Sequence, residues 1–74
     1  MTKLYIHTPF IRLKDALKFA GAVENGSAAK MDIQDGKVKV NGEKCTVNGK
    51  KLQVGDQIEY EGIIYLISHD FAGN

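Results

Sequence analysis

Residues 37–42, Lys-Val-Lys-Val-Asn-Gly, decide the fold that this sequence predicts. Val38 and Val40 alternate with lysines, as in a strand that turns one face to a core and the other to water. Asn41 and Gly42 follow at once, and both tolerate the positive φ angles that a type I′ turn requires. The stretch therefore predicts one arm of an antiparallel hairpin.

Turn and strand signals continue on both sides of this hairpin. Val-Asn-Gly recurs seven positions later, and we expect Asn48-Gly49 to repeat the turn chemistry of Asn41-Gly42. Further turns are indicated at Gly55-Asp56 and Glu61-Gly62, and strands at residues 3–7, 57–60 and 63–68. Only turn chemistry recurs, so the doubled tripeptide does not indicate a repeat architecture, which needs several longer units.

Two stretches between the first strand and the hairpin have helical periodicity. From Leu13 to about Gly21, apolar residues recur at three- and four-residue spacings. A second helix is predicted from Gly26 to Asp35, with Asn25 or Ser27 as its cap and Gly36 in the left-handed conformation that often ends a helix. Because the connection between them is short, the helices must pack as a pair.

These elements predict an α+β fold in which a two-helix pair packs on a small, mostly antiparallel β-sheet. The first strand is expected to join this sheet at its edge, and residues 1–74 are expected to form a single domain. In so small a domain the aromatic side chains are needed for the core by default, and base stacking is their alternative role. The four considered for stacking are Tyr5, Phe19, Tyr60 and Tyr65.

Composition limits the class of function. The chain has 74 residues, 43% of them hydrophobic and 26% charged, and no apolar run long enough to span a membrane. The N-terminus lacks signal-peptide features, so we expect a cytoplasmic protein, and no heptad or long apolar edge is apparent, so we expect a monomer. Cys45 has no second thiol, and His7 and His69 belong to no metal-ligand pattern. We therefore expect no catalytic residue, metal or cofactor.

Charge is unevenly distributed along the chain. The formal net charge is only +1, but residues 37–51 carry five basic groups and one acidic group. Residues 52–74 carry four acidic groups and no basic one. A folded chain is therefore expected to present one positive and one negative face.

At this point the order of residues resembles a known family. Arg12-Leu13, then Ala29-Lys30, then Val38 to Gly42 and Gly55-Asp56 follow the pattern of the S4 RNA-binding domain, named after a small-subunit ribosomal protein. The resemblance covers about residues 10–60, with flanking strands at 3–7 and 63–68, and is closest to the small stand-alone bacterial members of the YaaA and YbcJ group. The sequence departs from the pattern where Asn25-Gly26 replaces Ser-Arg and where Lys14 replaces an aspartate.

The resemblance implies a non-catalytic module that docks on structured RNA, either ribosomal RNA or a transfer-RNA-like element. It also implies a role in ribosome assembly or translation, with the ribosomal particle as a partner. Basic side chains on the helices and neighbouring loops would contact phosphates. The predicted RNA-binding residues are Arg12, Lys14, Lys18, Lys30, Lys37, Lys50 and Lys51.

Alternative readings stay open for several of these features. The backbone amides of residues 26–28 offer a further phosphate site at a helix start. Asn41 has a sufficient role in its turn, although contact with a sugar or phosphate is a second reading. Exposed lysines also serve solubility. The alternative function is a protein-interaction module that keeps the fold with little RNA affinity, using the acidic C-terminal strands or an exposed apolar patch.

Overall fold

The structure, a computed structural model, describes residues 1–70. Within these residues the chain forms two helices and seven strands. In chain order they are β1 (Thr2–Ile6), β2 (Ile11–Arg12), α1 (Leu13–Phe19), α2 (Gly26–Gln34), β3 (Val38–Val40), β4 (Glu43–Lys44), β5 (Lys51–Leu52), β6 (Gln57–Tyr60) and β7 (Ile63–His69). The predicted end of the domain at residue 74 lies outside the described residues.

Five of the strands form one sheet in the order β1-β7-β6-β3-β4. The pairs β7-β6, β6-β3 and β3-β4 are antiparallel, whereas β1 runs parallel to β7 at the edge. β2 and β5 pair separately, as an antiparallel ribbon that the sequence did not predict because each strand has only two residues. The predicted α+β fold, with a mostly antiparallel sheet and the first strand at its edge, is confirmed.

The core lies between the helix pair and one face of the large sheet. Alternation along the strands places one residue in two on that face, and the helices cover it with side chains at helical spacing. The fully or almost fully buried residues of the helices include Leu13, Leu17 and Ile33, and those of the sheet include Val38, Ile58 and Ile67. Tyr60 and Tyr65 belong to this core, as expected by default, while Tyr5 and Phe19 are half exposed or more.

Both helices begin and end close to the predicted positions. α2 is capped by Asn25, whose Oδ1 accepts a hydrogen bond from the Ala28 N–H at 2.8 Å. Gly36 has φ +80, the left-handed conformation predicted for the residue that ends this helix. α1 stops at Phe19, two residues before Gly21, which has φ +72.

The turn predictions divide between the two Val-Asn-Gly segments. Asn41 and Gly42 have φ values of +52 and +85, so the predicted type I′ turn is confirmed. Glu61 and Gly62, predicted as a turn, have φ values of +52 and +79 and adopt the same type. Asn48-Gly49 also forms a turn, in which the Lys50 N–H donates to the Val47 carbonyl at 3.2 Å. The expectation that it repeats the type I′ chemistry is wrong, because neither residue has a positive φ. The strand that follows, β5, pairs with β2 and not with β4.

Neither described helix is long and apolar enough to cross a membrane. Across residues 1–70, no three side chains of His, Cys, Asp or Glu converge in an arrangement that suits a metal ion.

Candidate nucleic-acid interface

The start of α1 is capped by a distant loop, residues 45–50. A helix start leaves several backbone N–H groups without partners inside the helix, and the residue before α1, Arg12, supplies no side-chain cap. Instead the Leu13 N–H donates to the Lys50 carbonyl at 2.9 Å, and the Lys14 N–H donates to the Asn48 carbonyl at 3.1 Å. The loop carbonyls can reach these donors because the turn at residues 47–50 does not close a hairpin, and β5 pairs with β2.

The Arg12 side chain also bonds to loop 45–50. Its guanidinium donates from Nη1 to the Gly49 carbonyl at 2.8 Å, and Arg12 is the direct cross-strand partner of Lys51 in the β2-β5 ribbon. Backbone and side-chain bonds together thus fix the loop on the helix. As a result, Arg12, Lys14, Lys50 and Lys51 are carried by segments that lie directly beside one another.

Phe10 lies within this group of cations. The Arg12 Cζ is 5.5 Å from the centroid of the Phe10 ring, and the Lys51 Nζ is 4.8 Å from it. Both distances are in the range of a cation–π interaction. Sequence reasoning missed Phe10. The available signal was its position two residues before Arg12 in an extended segment, which puts both side chains on one face.

Lys18 and Lys30 extend the basic surface along the helix pair. Lys14 and Lys18 are four residues apart on α1 and share a face. A Cβ added at Gly26 would lie 3.9 Å from the Lys18 Cδ, so the Lys18 side chain runs beside the first residue of α2. Lys30 is exposed one turn further along α2. We call the set the basic track, and it consists of Arg12, Lys14, Lys18, Lys30, Lys50 and Lys51.

The basic track is not neutralised within the described part of the chain. The ion pairs found there join His7 to Asp70 and Lys37 to Asp32, so no described carboxylate lies within 4.0 Å of a charged nitrogen in the basic track. Lys14 is half-buried and the other members are exposed. Uncompensated cations on a solvent-facing surface suit a polyanionic ligand.

Lys37, the seventh predicted RNA-binding residue, lies elsewhere. It follows the C-terminal end of α2, opposite to the end that Lys18 approaches, and its Nζ is 3.7 Å from Asp32 Oδ1. Asp32 also accepts a hydrogen bond from the Tyr60 hydroxyl. That bond, burial of the ring and the nearby Glu61 all raise the pKa of Tyr60. Lys37 thus already has an acidic partner, and its contact with RNA stays a prediction.

Two further lysines, Lys39 and Lys44, lie on the outer face of the sheet. They are direct cross-strand partners, and Lys39 is flanked on its other side by Glu59. Lys44 also has a packing role, since a Cβ added at Gly36 would lie only 3.1 Å from the Lys44 Cδ. Lys39 therefore points away from the helix pair that carries the basic track, whereas Lys44 packs against the residue that ends α2 and lines the same surface depression as Lys50.

Two secondary candidates of the sequence analysis are engaged inside the fold. The Asn41 amide donates to Asp56 Oδ1 at 3.1 Å, and its Oδ1 accepts from the Gln57 N–H at 2.9 Å. These bonds fit the turn role of Asn41. At the start of α2, the Ala28 N–H is already bonded to Asn25, so one of the three amides considered for phosphate has a partner.

Comparison with known proteins agrees with this architecture. A family model described as the S4 domain matches residues 4–68. "Probable ribosome maturation protein RlbA" of Bacillus subtilis (strain 168) is 40% identical over 57 residues, which are 77% of this chain and 80% of that protein. "Putative RNA-binding protein YbcJ" of Escherichia coli (strain K12) is 37% identical over 54 residues, 73% of this chain and 77% of that protein. The resemblance inferred from the sequence is confirmed, and the chain belongs to the S4 domain family.

Proposed function

We propose that this protein is a non-catalytic module that binds structured RNA through the basic track. The observation that carries the proposal is the docking of loop 45–50 on the start of α1. It gathers lysines from the loop beside Arg12 and Lys14, while Lys18 and Lys30 continue the line along the helix pair. Family membership and the name of the YbcJ relative support RNA as the class of ligand.

The kind of recognition follows from the shape of RNA. An A-form helix has a deep, narrow major groove, so a small rigid surface is expected to contact phosphates and 2′-hydroxyls rather than base edges. Contacts of this kind release condensed counterions, and affinity therefore falls as salt is added. We expect binding to structured RNA with low sequence specificity and a steep dependence on ionic strength.

We further propose ribosomal RNA, bound free or within a ribosomal particle, as the natural ligand, with ribosome assembly as the process served. The support is the name of the relative from Bacillus subtilis, "Probable ribosome maturation protein RlbA", together with the share of both chains that the match covers. A transfer-RNA-like element is the competing ligand within the same class. Parallel titrations with a ribosomal RNA hairpin and a transfer RNA rank the two.

The decisive experiment compares two double variants of equal charge change. The first, Lys50→Glu and Lys51→Glu, reverses charges in the basic track. The control, Lys3→Glu and Lys39→Glu, reverses lysines of β1 and β3 that lie outside it. Fluorescence anisotropy with a structured ribosomal RNA hairpin, over a salt series, measures affinity. Circular dichroism checks that each variant is folded.

The expected result is micromolar or tighter binding by the wild type, lost in the basic-track variant and largely retained in the control. Equal losses in two folded variants would mean that net charge, and not the basic track, governs binding. No binding by the folded wild type at low salt would favour a protein-interaction module. For that case the structure offers an exposed apolar groove of about 400 Å³ on β1 and β7, lined in part by Tyr5, Val54 and Leu66.

A further inference from the structure

We propose that Phe10 is a positioning residue that holds Arg12 and Lys51 together as one binding point for a single phosphate group of the RNA backbone. This inference rests on the proposed function and deepens it, because it assigns a separate anion subsite within the basic track. It also gives a role to an exposed aromatic side chain that the fold does not need for its core. Phe10 is 36% exposed and stands outside the group of buried core residues.

The pairing of Arg12 with Lys51 needs an explanation. The two residues face each other directly across the β2-β5 ribbon, and like charges in that position destabilise a strand pair. Each cation also lies over the Phe10 ring, at 5.5 Å and 4.8 Å from its centroid. The negative face of an aromatic ring attracts cations, so the shared ring offsets part of the repulsion. Phe10 thereby holds together the Arg12 guanidinium and the Lys51 ammonium, which would otherwise move apart.

The positive charge that remains is available to an anion. The Arg12 guanidinium has five N–H donors and gives one of its Nη1 donors to Gly49, while the Lys51 ammonium has three donors. No described carboxylate lies within 4.0 Å of either charged group. A guanidinium beside an ammonium offers both the planar fork and the point charge with which proteins hold phosphate.

A phosphate suits this point better than a stacked base. A nucleobase needs an open ring face, and the cations already lie over the Phe10 ring. The ring is therefore expected to act on RNA through its two cations. The two roles make different predictions, because a stacking ring loses binding energy on truncation whether or not the neighbouring lysine is present.

The test is a double-mutant cycle between Phe10→Leu and Lys51→Met, with Phe10→Tyr as the conservative variant. Leucine keeps an apolar side chain but has no aromatic face. We expect Phe10→Leu to weaken binding to the ribosomal RNA hairpin by about 3- to 10-fold, and Phe10→Tyr to stay within about twofold of wild type. In the Lys51→Met background the loss from Phe10→Leu should shrink to about twofold, since only Arg12 remains to be positioned.

Either of two outcomes would overturn the inference. Unchanged affinity in Phe10→Leu would show that the ring positions nothing that matters for binding. An equal loss in both backgrounds would assign Phe10 to base stacking or to the fold, and thermal unfolding of each variant separates those two.

A second measurement keeps the inference testable if the wild type binds no RNA. Titration with inorganic phosphate, followed by the NMR signals of the Arg12 Nε–H and the Lys51 ε-methylene, reports on the subsite alone. We expect both signals to shift at lower phosphate concentration in the wild type than in Phe10→Leu, and at lower concentration than the ε-methylene signal of Lys3. Equal responses at Lys51 and Lys3 would reject the subsite.

Discussion

The two Val-Asn-Gly segments have the same sequence and opposite roles. In the first, Asn41 and Gly42 adopt positive φ and close the β3-β4 hairpin, and the Asn41 side chain bonds to Asp56 and Gln57. In the second, neither Asn48 nor Gly49 has a positive φ. There the useful groups are backbone carbonyls, which accept hydrogen bonds from the first residues of α1 and from Arg12.

The difference shows that turn chemistry permits a hairpin without requiring one. A type I′ turn is stable when its flanking residues can pair with each other. Val40 pairs with Glu43 across the first turn. The strand that follows the second turn, β5, pairs with β2, so the residues that flank the second turn do not form a strand pair with each other. The unpaired N–H groups at the start of α1 then decide the conformation of the second segment, because its carbonyls satisfy them.

The largest effect should separate the two asparagines. Asn41→Ala removes two side-chain hydrogen bonds and puts alanine at φ +52, so we expect a loss of about 2 kcal/mol in the free energy of unfolding. Asn48→Ala should change it by less than about 0.5 kcal/mol, because the Asn48 Oδ1 is buried without a hydrogen-bond partner among the described residues. Urea denaturation of both variants measures the difference. Comparable losses would contradict the distinction between side-chain and backbone roles.

A smaller effect should separate the two glycines. Gly42→Ala introduces a Cβ at φ +85 and is expected to cost about 1.5 kcal/mol. At Gly49 the added Cβ would meet the Arg12 Nη1 at 3.6 Å, an ordinary contact, and the φ is not left-handed. The free energy of unfolding of Gly49→Ala should therefore lie within about 0.5 kcal/mol of the wild-type value. Alanine also restricts the unfolded chain more than glycine does, and this favours the folded state. Thermal unfolding of the two variants ranks their losses of stability. A larger loss for Gly49→Ala than for Gly42→Ala would mean that loop 45–50 has no room for the added methyl group.

The same contrast explains how much of the fold could be predicted from the sequence. The valine alternation, the helix periodicity and the turns at 41–42 and 61–62 depend on neighbours within a few residues, and the structure confirms them. The conformation of residues 48–49 depends on partners such as Arg12, which is 37 positions away from Gly49. Local turn chemistry carries no information about such a partner.

The candidate site divides in the same way. Six predicted cations lie in the basic track, and the family resemblance together with their residue types suggested phosphate binding. Phe10 was missed because its partner Lys51 joins it only through the β2-β5 ribbon. The ion pair of Lys37 was missed as well, since it depends on how Asp32 is held by Tyr60 of a later strand.

Alkaline pH sharpens the comparison, because β3 of the first hairpin pairs with β6, whose Tyr60 is a titratable group bonded to Asp32 of α2. The second segment is held through backbone carbonyls, which do not titrate. The hydrogen bond to Asp32, burial and Glu61 raise the pKa of Tyr60 above its ordinary value of about 10. A raised pKa means that the neutral phenol stabilises the folded state fully below pH 10, and that this contribution is lost as pH rises above 10. Tyr60→Phe should cost about 1 kcal/mol at pH 7.

The measurement is the free energy of unfolding of wild type and Tyr60→Phe between pH 7 and pH 11.5. The difference between them should be constant up to about pH 10 and narrow above it. Because the other tyrosines and the lysines titrate in both proteins, their effects cancel in the difference. A constant gap over the whole range would mean that the pKa of Tyr60 is the same in the folded and unfolded states, which would contradict a raised pKa in the fold.

The smallest effect concerns the lysines that flank each tripeptide. Lys50 follows the second Val-Asn-Gly and belongs to the basic track, whereas Lys39 precedes the first and lies beside Glu59 on the outer sheet face. If Lys50 contacts one phosphate, Lys50→Gln should weaken RNA binding by about threefold and lower the slope of log affinity against log salt by about one. Lys39→Gln removes the same charge and should leave the slope unchanged. Equal slopes in the two variants would mean that the two segments do not differ in their contact with RNA, whatever their conformations.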